Sequence, residues 1–166
     1  MTVDEFLQNP DVLGMIYGHM PEMGDALRVR SININWRGPT VILRFDLSGF
    51  PESAPEDWEA ARFDTVQCHL QFLAVKNLAV EDWNPPSVCR MEVAPERERR
   101  LHVRIHGDGM DIRFECSDSV LVGHVSAYKL HVDGSDGGPR SFVSRIDARR
   151  HATLPETWEK AYCERV

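Results

Sequence analysis

Apolar and polar residues alternate one for one along several short stretches of this chain, most clearly Val41–Leu47, Val66–Phe72, Leu101–Ile105 and Met110–Cys116. Side chains on an extended strand point to opposite faces in turn, so this period marks strands with one buried and one wet face. The pattern predicts a molecule made mostly of antiparallel sheet. No catalytic motif falls among these segments.

The amino-terminal stretch has a different period. Thr2 with Glu5 makes a capping-box pattern, and Asn9-Pro10 starts a second helix with proline at its first position. Val12, Leu13, Ile16 and Tyr17 follow at helical spacing, and Gly18 is a natural stop. A short helical hairpin or kinked helix lying over the sheet is expected, because its apolar stripe needs a surface to cover. Ala26 to Leu47 then reads as a hairpin turning at Arg37-Gly38-Pro39. Leu27 and Val29 are in one phase, whereas Ile32, Ile34 and Trp36 are in the other. A one-residue slip moves side chains to the opposite face, so a bulge near Arg30-Ser31 is required if both groups are to be buried.

Pro51 and Pro55 bracket a loop, and Glu56 to Arg62 predicts a turn or two of helix around Trp58. Strands are expected over Thr65–Val75 and Leu78–Trp83, before Pro85-Pro86 forces a break. Val88–Val93, Leu101–His106 and Met110–Cys116 come next, the last two joined by Gly107-Asp108-Gly109 as a tight turn. Ser119 to Tyr128 is apolar on both faces, which predicts a central strand. Gly134 to Pro139 has the composition of a mobile loop. Thr153-Leu154-Pro155-Glu156 is a further capping box, and Leu154, Trp158, Ala161 and Tyr162 mark one face of a closing helix. The fold class that results is α+β, mainly β: one domain over residues 1–166, an antiparallel sheet or sandwich with short flanking helices at both termini.

Composition narrows the field. With 42% hydrophobic residues, the chain has about 70 apolar side chains, enough for one sizeable core. A formal charge of −7 repels polyanions, which argues against general nucleic-acid or anionic-membrane binding and is compatible with a basic partner. Cys68, Cys89, Cys116 and Cys163 show no C-x-x-C spacing, and the first three sit in apolar strand patterns, so all four read as reduced thiols. The amino terminus lacks the regions of a signal peptide, and no run approaches the roughly 20 apolar residues that span a bilayer. A cytoplasmic location is the default expectation.

Candidate chemistry is sparse. His102 and His106 share a face of one strand, but four residues of extended chain separate them by about 13 Å, too far for one zinc ion. His69 and His124 are isolated within strands and read as hydrogen-bonded structural histidines. Gly134-Ser135-Asp136-Gly137-Gly138 lacks the lysine of a P-loop, and a calcium loop begun at Asp133 would have Ser144 where glutamate is needed. No G-x-S-x-G is present, and Cys68 and His69 point to opposite faces. Arg97, Arg99 and Arg100, and later Arg140, Arg145, Arg149 and Arg150, form basic clusters without an aromatic stacking series, which fits solvated faces or salt-bridge networks. Asp57-Trp58-Glu59 and Glu81-Asp82-Trp83 each combine carboxylates with a large aromatic, the composition of an interface anchor; a half-buried core tryptophan is the competing reading at both.

Several stretches together bear on a family. They are Gly38–Leu47, Asp64–Val75, Leu78–Trp83, Leu121–Ala127 and the closing Arg149–Val166. In their order the chain resembles the immunity protein 50 family of bacterial polymorphic-toxin systems. The resemblance implies a non-enzymatic cytoplasmic protein, without cofactor or metal, that binds and neutralises a cognate toxin. Such inhibition needs only a rigid complementary surface, and an acidic inhibitor suits a basic nuclease toxin. The residues leave two alternatives open: a small-molecule-binding β-sandwich or barrel with a ligand among Leu70, Phe72, Ile112 and Phe114, and a sheet-based hydrolase using His124 or His69.

Overall fold

The computed structural model describes residues 1–143. The expected closing helix, Arg145, Arg149, Arg150 and Cys163 lie outside the described residues. Among the described residues nine strands, β1 (Leu27–Asn35), β2 (Thr40–Asp46), β3 (Thr65–Phe72), β4 (Lys76–Glu81), β5 (Ser87–Glu96), β6 (Arg100–Gly107), β7 (Met110–Ser117), β8 (Val120–Tyr128) and β9 (Arg140–Phe142), form one sheet. Their order is β4-β7-β6-β5-β1-β2-β3-β8-β9, and neighbours run antiparallel throughout. The mainly β architecture expected from the alternation is what the chain adopts.

The sheet is not flat. β3 and β7 are five strand steps apart in that order, about 24 Å if the sheet were planar. Yet the rings of Phe72 and Phe114 meet edge to face with centroids 5.0 Å apart. The sheet therefore bends back on itself into two layers, β1-β2-β3-β8-β9 and β5-β6-β7-β4, whose inner faces share one core. The short link Leu73-Ala74-Val75 from β3 to β4 ties the layers together, and the Ser117 amide donates to the Leu73 carbonyl across the seam at 2.9 Å. Leu43, Phe45, Leu70, Val103, Ile105 and Ile112 are among the buried inward residues.

Two bulges keep apolar residues inward. The register of β1 against β2 shifts between Val29 and Ser31, where the phase of the sequence requires it. On β8, His124 and Val125 together face Cys68 of β3, and His124 has φ of 47°. Val120 and Val122 point inward before this bulge, Val125 and Ala127 after it. The two-faced look of the β8 sequence is thus partly a change of phase. β8 is not central as expected; it is second from one end of the sheet, flanked by β3 and the short β9.

Other boundaries moved for backbone reasons. β3 stops at Phe72, ahead of Ala74 at a positive φ of 51°, and β4 begins at Lys76, earlier than expected, taking in Asn77 at φ 52°. Asp82, at φ 50°, ends β4 before Trp83. In the β6–β7 turn Gly109 supplies the positive dihedral, at 89°. Gly107 has another reason to be glycine, since a Cβ there would land on the Val88 carbonyl oxygen.

The amino terminus packs against β8. The Thr2–Glu5 capping box opens a 3-10 turn over Val3–Phe6, and α1 (Asp11–Tyr17) ends at Gly18 in the left-handed region. The Asn9 side chain pairs with the backbone of Val122 like one more strand residue, donating to its carbonyl at 2.7 Å and accepting from its amide at 2.9 Å. α2 (Glu56–Ala60) lies between β2 and β3 in the chain. Among the described residues no helix is long and apolar enough to cross a membrane.

Candidate functional site

The two acid-and-tryptophan segments part ways in the fold. Trp58 is only 2% exposed, its ring 6.1 Å from that of Phe50, so the indole anchors α2 to the core and is not an exposed interface residue. It is the only bulky apolar residue of a five-residue helix, and that helix has nothing else to bury. Asp57 and Glu59 stay exposed, with Asp57 accepting a hydrogen bond from the Ser141 hydroxyl of β9 at 3.2 Å. Trp83 is 41% exposed beyond the end of β4, and Glu81 pairs with Arg113 of β7 at 3.0 Å. One segment sits near β9 and the other on β4, at opposite ends of the strand order.

Beside α2 runs a groove of about 460 Å³ whose apolar lining includes Ala61, Phe63, Leu130, Val132 and Pro139. Asp57 and Glu59 precede Ala61 of this lining by four and two residues in the chain. A second exposed apolar feature escaped the sequence reading. Ile34 and Trp36, at the tip of the β1–β2 hairpin, are 56% and 80% exposed, with the Arg37 guanidinium 5.0 Å from the Trp36 ring centre. Their alternation looks like core, and nothing local in the sequence says that the inner face is uncovered there.

The outer face of β1, β2, β3 and β8 carries a buried charge network. The β1 bulge leaves Arg30 and Ser31 together on this face. Arg30 donates to the Asp46 carboxylate through Nε at 3.0 Å and Nη2 at 2.6 Å, and to the Tyr128 hydroxyl at 2.9 Å. Tyr128 and Gln67 also donate to Asp46, at 2.7 and 2.9 Å. The segment 129–139 closes over these groups. Its Gly134 carbonyl accepts from Arg30 at 2.8 Å, and its Asp136 carboxylate takes Arg44 at 2.6 Å and Gln67 at 2.9 Å. Arg140 donates to Gln67 and Ser126 and lies 4.9 Å from the Tyr128 ring centre. The glycine-rich loop expected to be mobile is thus held by ionic contacts that its composition does not reveal.

Charge states follow from these contacts. Burial works against the Arg30 cation, but the hydrogen bond and charge of Asp46, with Tyr128 and Asp136 behind it, hold its pKa above the ordinary value. Burial and the Asp46 carboxylate push the Tyr128 hydroxyl far up. Burial likewise opposes the Asp136 carboxylate, yet Gln67, Arg44, Arg30 and Arg140 together bring its pKa below the usual range. Burial lowers Arg140 from its ordinary value. Arg30, Asp46, Gln67, Tyr128, Arg44, Asp136 and Arg140 together act as a clamp between sheet and loop.

The nucleophile and ligand readings meet the same core. Cys68, Cys89 and Cys116 are buried and unpaired, and burial raises Cys89 to about 11, Cys116 to about 12 and Cys68 further still. At neutral pH they are thiols, poor nucleophiles. His69 and His124 are buried with ring centroids 4.8 Å apart, edge to face. His102 and His106 lie on the opposite, outer layer, with His106 3.5 Å from Glu92. Among the described residues no cluster of three or more histidine, cysteine or acidic groups could hold a metal ion. Leu70, Phe72, Ile112 and Phe114 are at most 1% exposed and belong to the shared core, where the rings of Phe72 and Phe114 meet edge to face.

The family model for Immunity protein 50 matches residues 9–128, from the start of α1 to the end of β8. The chain belongs to the Immunity protein 50 family. The match takes in all the strands from β1 to β8, and with them Arg30, Asp46, Gln67 and Tyr128 of the clamp. Asp136 and Arg140 fall after the part matched to Immunity protein 50. No curated protein and no solved structure matches the chain.

Proposed function

We propose that this chain is a non-enzymatic immunity protein that binds a cognate bacterial toxin in the cytoplasm and neutralises it. The observation that carries this reading is the family match over residues 9–128. The architecture supports it physically: a doubled sheet with a filled core and a clamped loop is a rigid body, and a rigid surface loses little conformational freedom on binding. The net charge of −7 favours a basic toxin such as a nuclease, because opposite charge speeds the encounter. Asp57, Glu59, Glu81 and Asp82 are the acids proposed to meet it, with Trp83 beside the second pair.

Co-expression with the protein encoded immediately beside this gene tests the reading. Rescue of growth together with a stoichiometric complex is the expected result, and a toxin that kills and pulls down nothing would sink it. Charge reversal at Asp57, Glu59, Glu81 and Asp82 is expected to weaken the complex without lowering the melting temperature. If all four reversals leave affinity unchanged, those acids are ordinary solvated surface.

A further inference from the structure

Among the described residues, β1 has neighbours on both sides only over its first three residues. Leu27, Arg28 and Val29 pair with Cys89, Val88 and Ser87 of β5, and at Pro86 and Pro85 the chain leaves that track. Past the bulge, Ser31 to Asn35 pair with Arg44 to Thr40 of β2 on one side and, among the described residues, with no strand on the other. An open edge of backbone N–H and C=O groups is a template for another strand, and proteins usually guard such edges. The two end strands of the sheet are guarded. β4 has a bulge between Lys76 and Ala79, positive φ at Asn77 and the charges of Lys76 and Glu81, while β9 is three residues long. Ser31-Ile32-Asn33-Ile34-Asn35 carries no charge, no proline and no bulge of its own.

The same segment has an unroofed apolar face. Residues opposite one another on paired strands share a face. Ile32 and Ile34 stand opposite Leu43 and Val41, which are 1% and 0% exposed. Ile32, Ile34 and Trp36 therefore prolong the inner face beyond the point where the core ends.

We propose that the free edge of β1 from Ser31 to Asn35 is the seat of an extended segment of the toxin, which adds as a further antiparallel strand and lays apolar side chains against Ile34 and Trp36. The proposal rests on the immunity reading and names its surface. The segment it fits is about five residues long, apolar at alternate positions. It is uncharged where it pairs, and acidic residues just beyond the pairing suit the exposed Arg37 beside the seat. A second copy fits less well: antiparallel self-pairing about Asn33 would bring Trp36 and Arg37 of one chain alongside Arg30 and Val29 of the other. There Val29 is already paired with Ser87 of β5.

Amide hydrogen exchange on the full chain, alone and co-purified with the toxin encoded beside its gene, tests the seat. Protection gained within Ser31–Asn35 is expected in the complex. Ile34→Lys and Trp36→Lys are each expected to weaken binding by roughly thirty-fold while leaving the melting temperature unchanged, since both sites are exposed. Met15→Lys, at a site on α1 that is 86% exposed, is expected to bind normally. A complex that forms with exchange at Ser31–Asn35 unaltered and both lysine variants at full affinity overturns the seat and leaves the immunity reading standing. Protection that rises with concentration in the free protein assigns the edge to a second copy and overturns the toxin strand. Failure of any complex or rescue overturns both.

Discussion

The outer faces of the two layers use the same residue types at different depths. Over β1, β2, β3 and β8, Arg30 and Asp46 are each 4% exposed and share their hydrogen bonds with Tyr128 and Gln67. Over β5, β6, β7 and β4, the pairs Arg90–Asp25, Arg104–Asp111 and Arg113–Glu81 have arginines 41% to 57% exposed. Ion pairs in water contribute little, because solvent screens the attraction and ordering two long side chains opposes it. A buried charge is different, since removing its partner leaves it desolvated and unmatched. What separates the faces is the segment 129–139, which roofs only the first.

The sharpest way to break this comparison is Asp46→Ala. Arg30 would stay buried without its carboxylate, and a loss of about 3–5 kcal/mol in urea unfolding is expected. A change below about 1 kcal/mol would mean that water reaches the site and the two faces are alike. Tyr128→Phe removes one donor to Asp46 and one acceptor from Arg30 and should cost about 1–3 kcal/mol by the same measurement.

Acid titration sharpens the comparison further. Asp136 has its folded pKa lowered, by Gln67 and three arginines that outweigh its burial. Its contribution is therefore complete above the ordinary carboxylate value near pH 4 and is lost as pH falls through the folded value. Asp136→Asn should be less stable than the native chain at pH 7, and the gap should close below about pH 4. A gap that stays constant with pH would show that the carboxylate charge is not what holds the loop. At the small end, Arg104→Gln on the open face should leave the urea midpoint where it was at moderate salt; a clear loss there would remove the distinction between the layers.

How far the sequence could be read follows from where each signal resides. The bulge near Arg30, the stop at Gly18 and the capping box at Thr2 were legible because each depends on residues close in the chain. The candidate surfaces were less so. Trp58 and Trp36 both stand among polar neighbours, but one is buried under α2 and the other exposed at a hairpin tip. Arg140 looked like part of a solvated basic cluster, and its side chain is 1% exposed. That Ser31–Asn35 has no second strand neighbour among the described residues could not be read at all, since it follows from β5 leaving β1 after Val29.

By itself the sequence determined the strands β1 to β8, most of their inward residues and the phase change in β1, since alternation, glycine and proline act within a few residues. It also carried the resemblance to Immunity protein 50 that the family match bears out. The tertiary structure alone decided which polar side chains are dry, which aromatic is displayed and which strand edge is open. Those properties depend on what lies across the fold. A sheet that bends until Phe72 touches Phe114 brings together residues whose separation along the chain hides their contact.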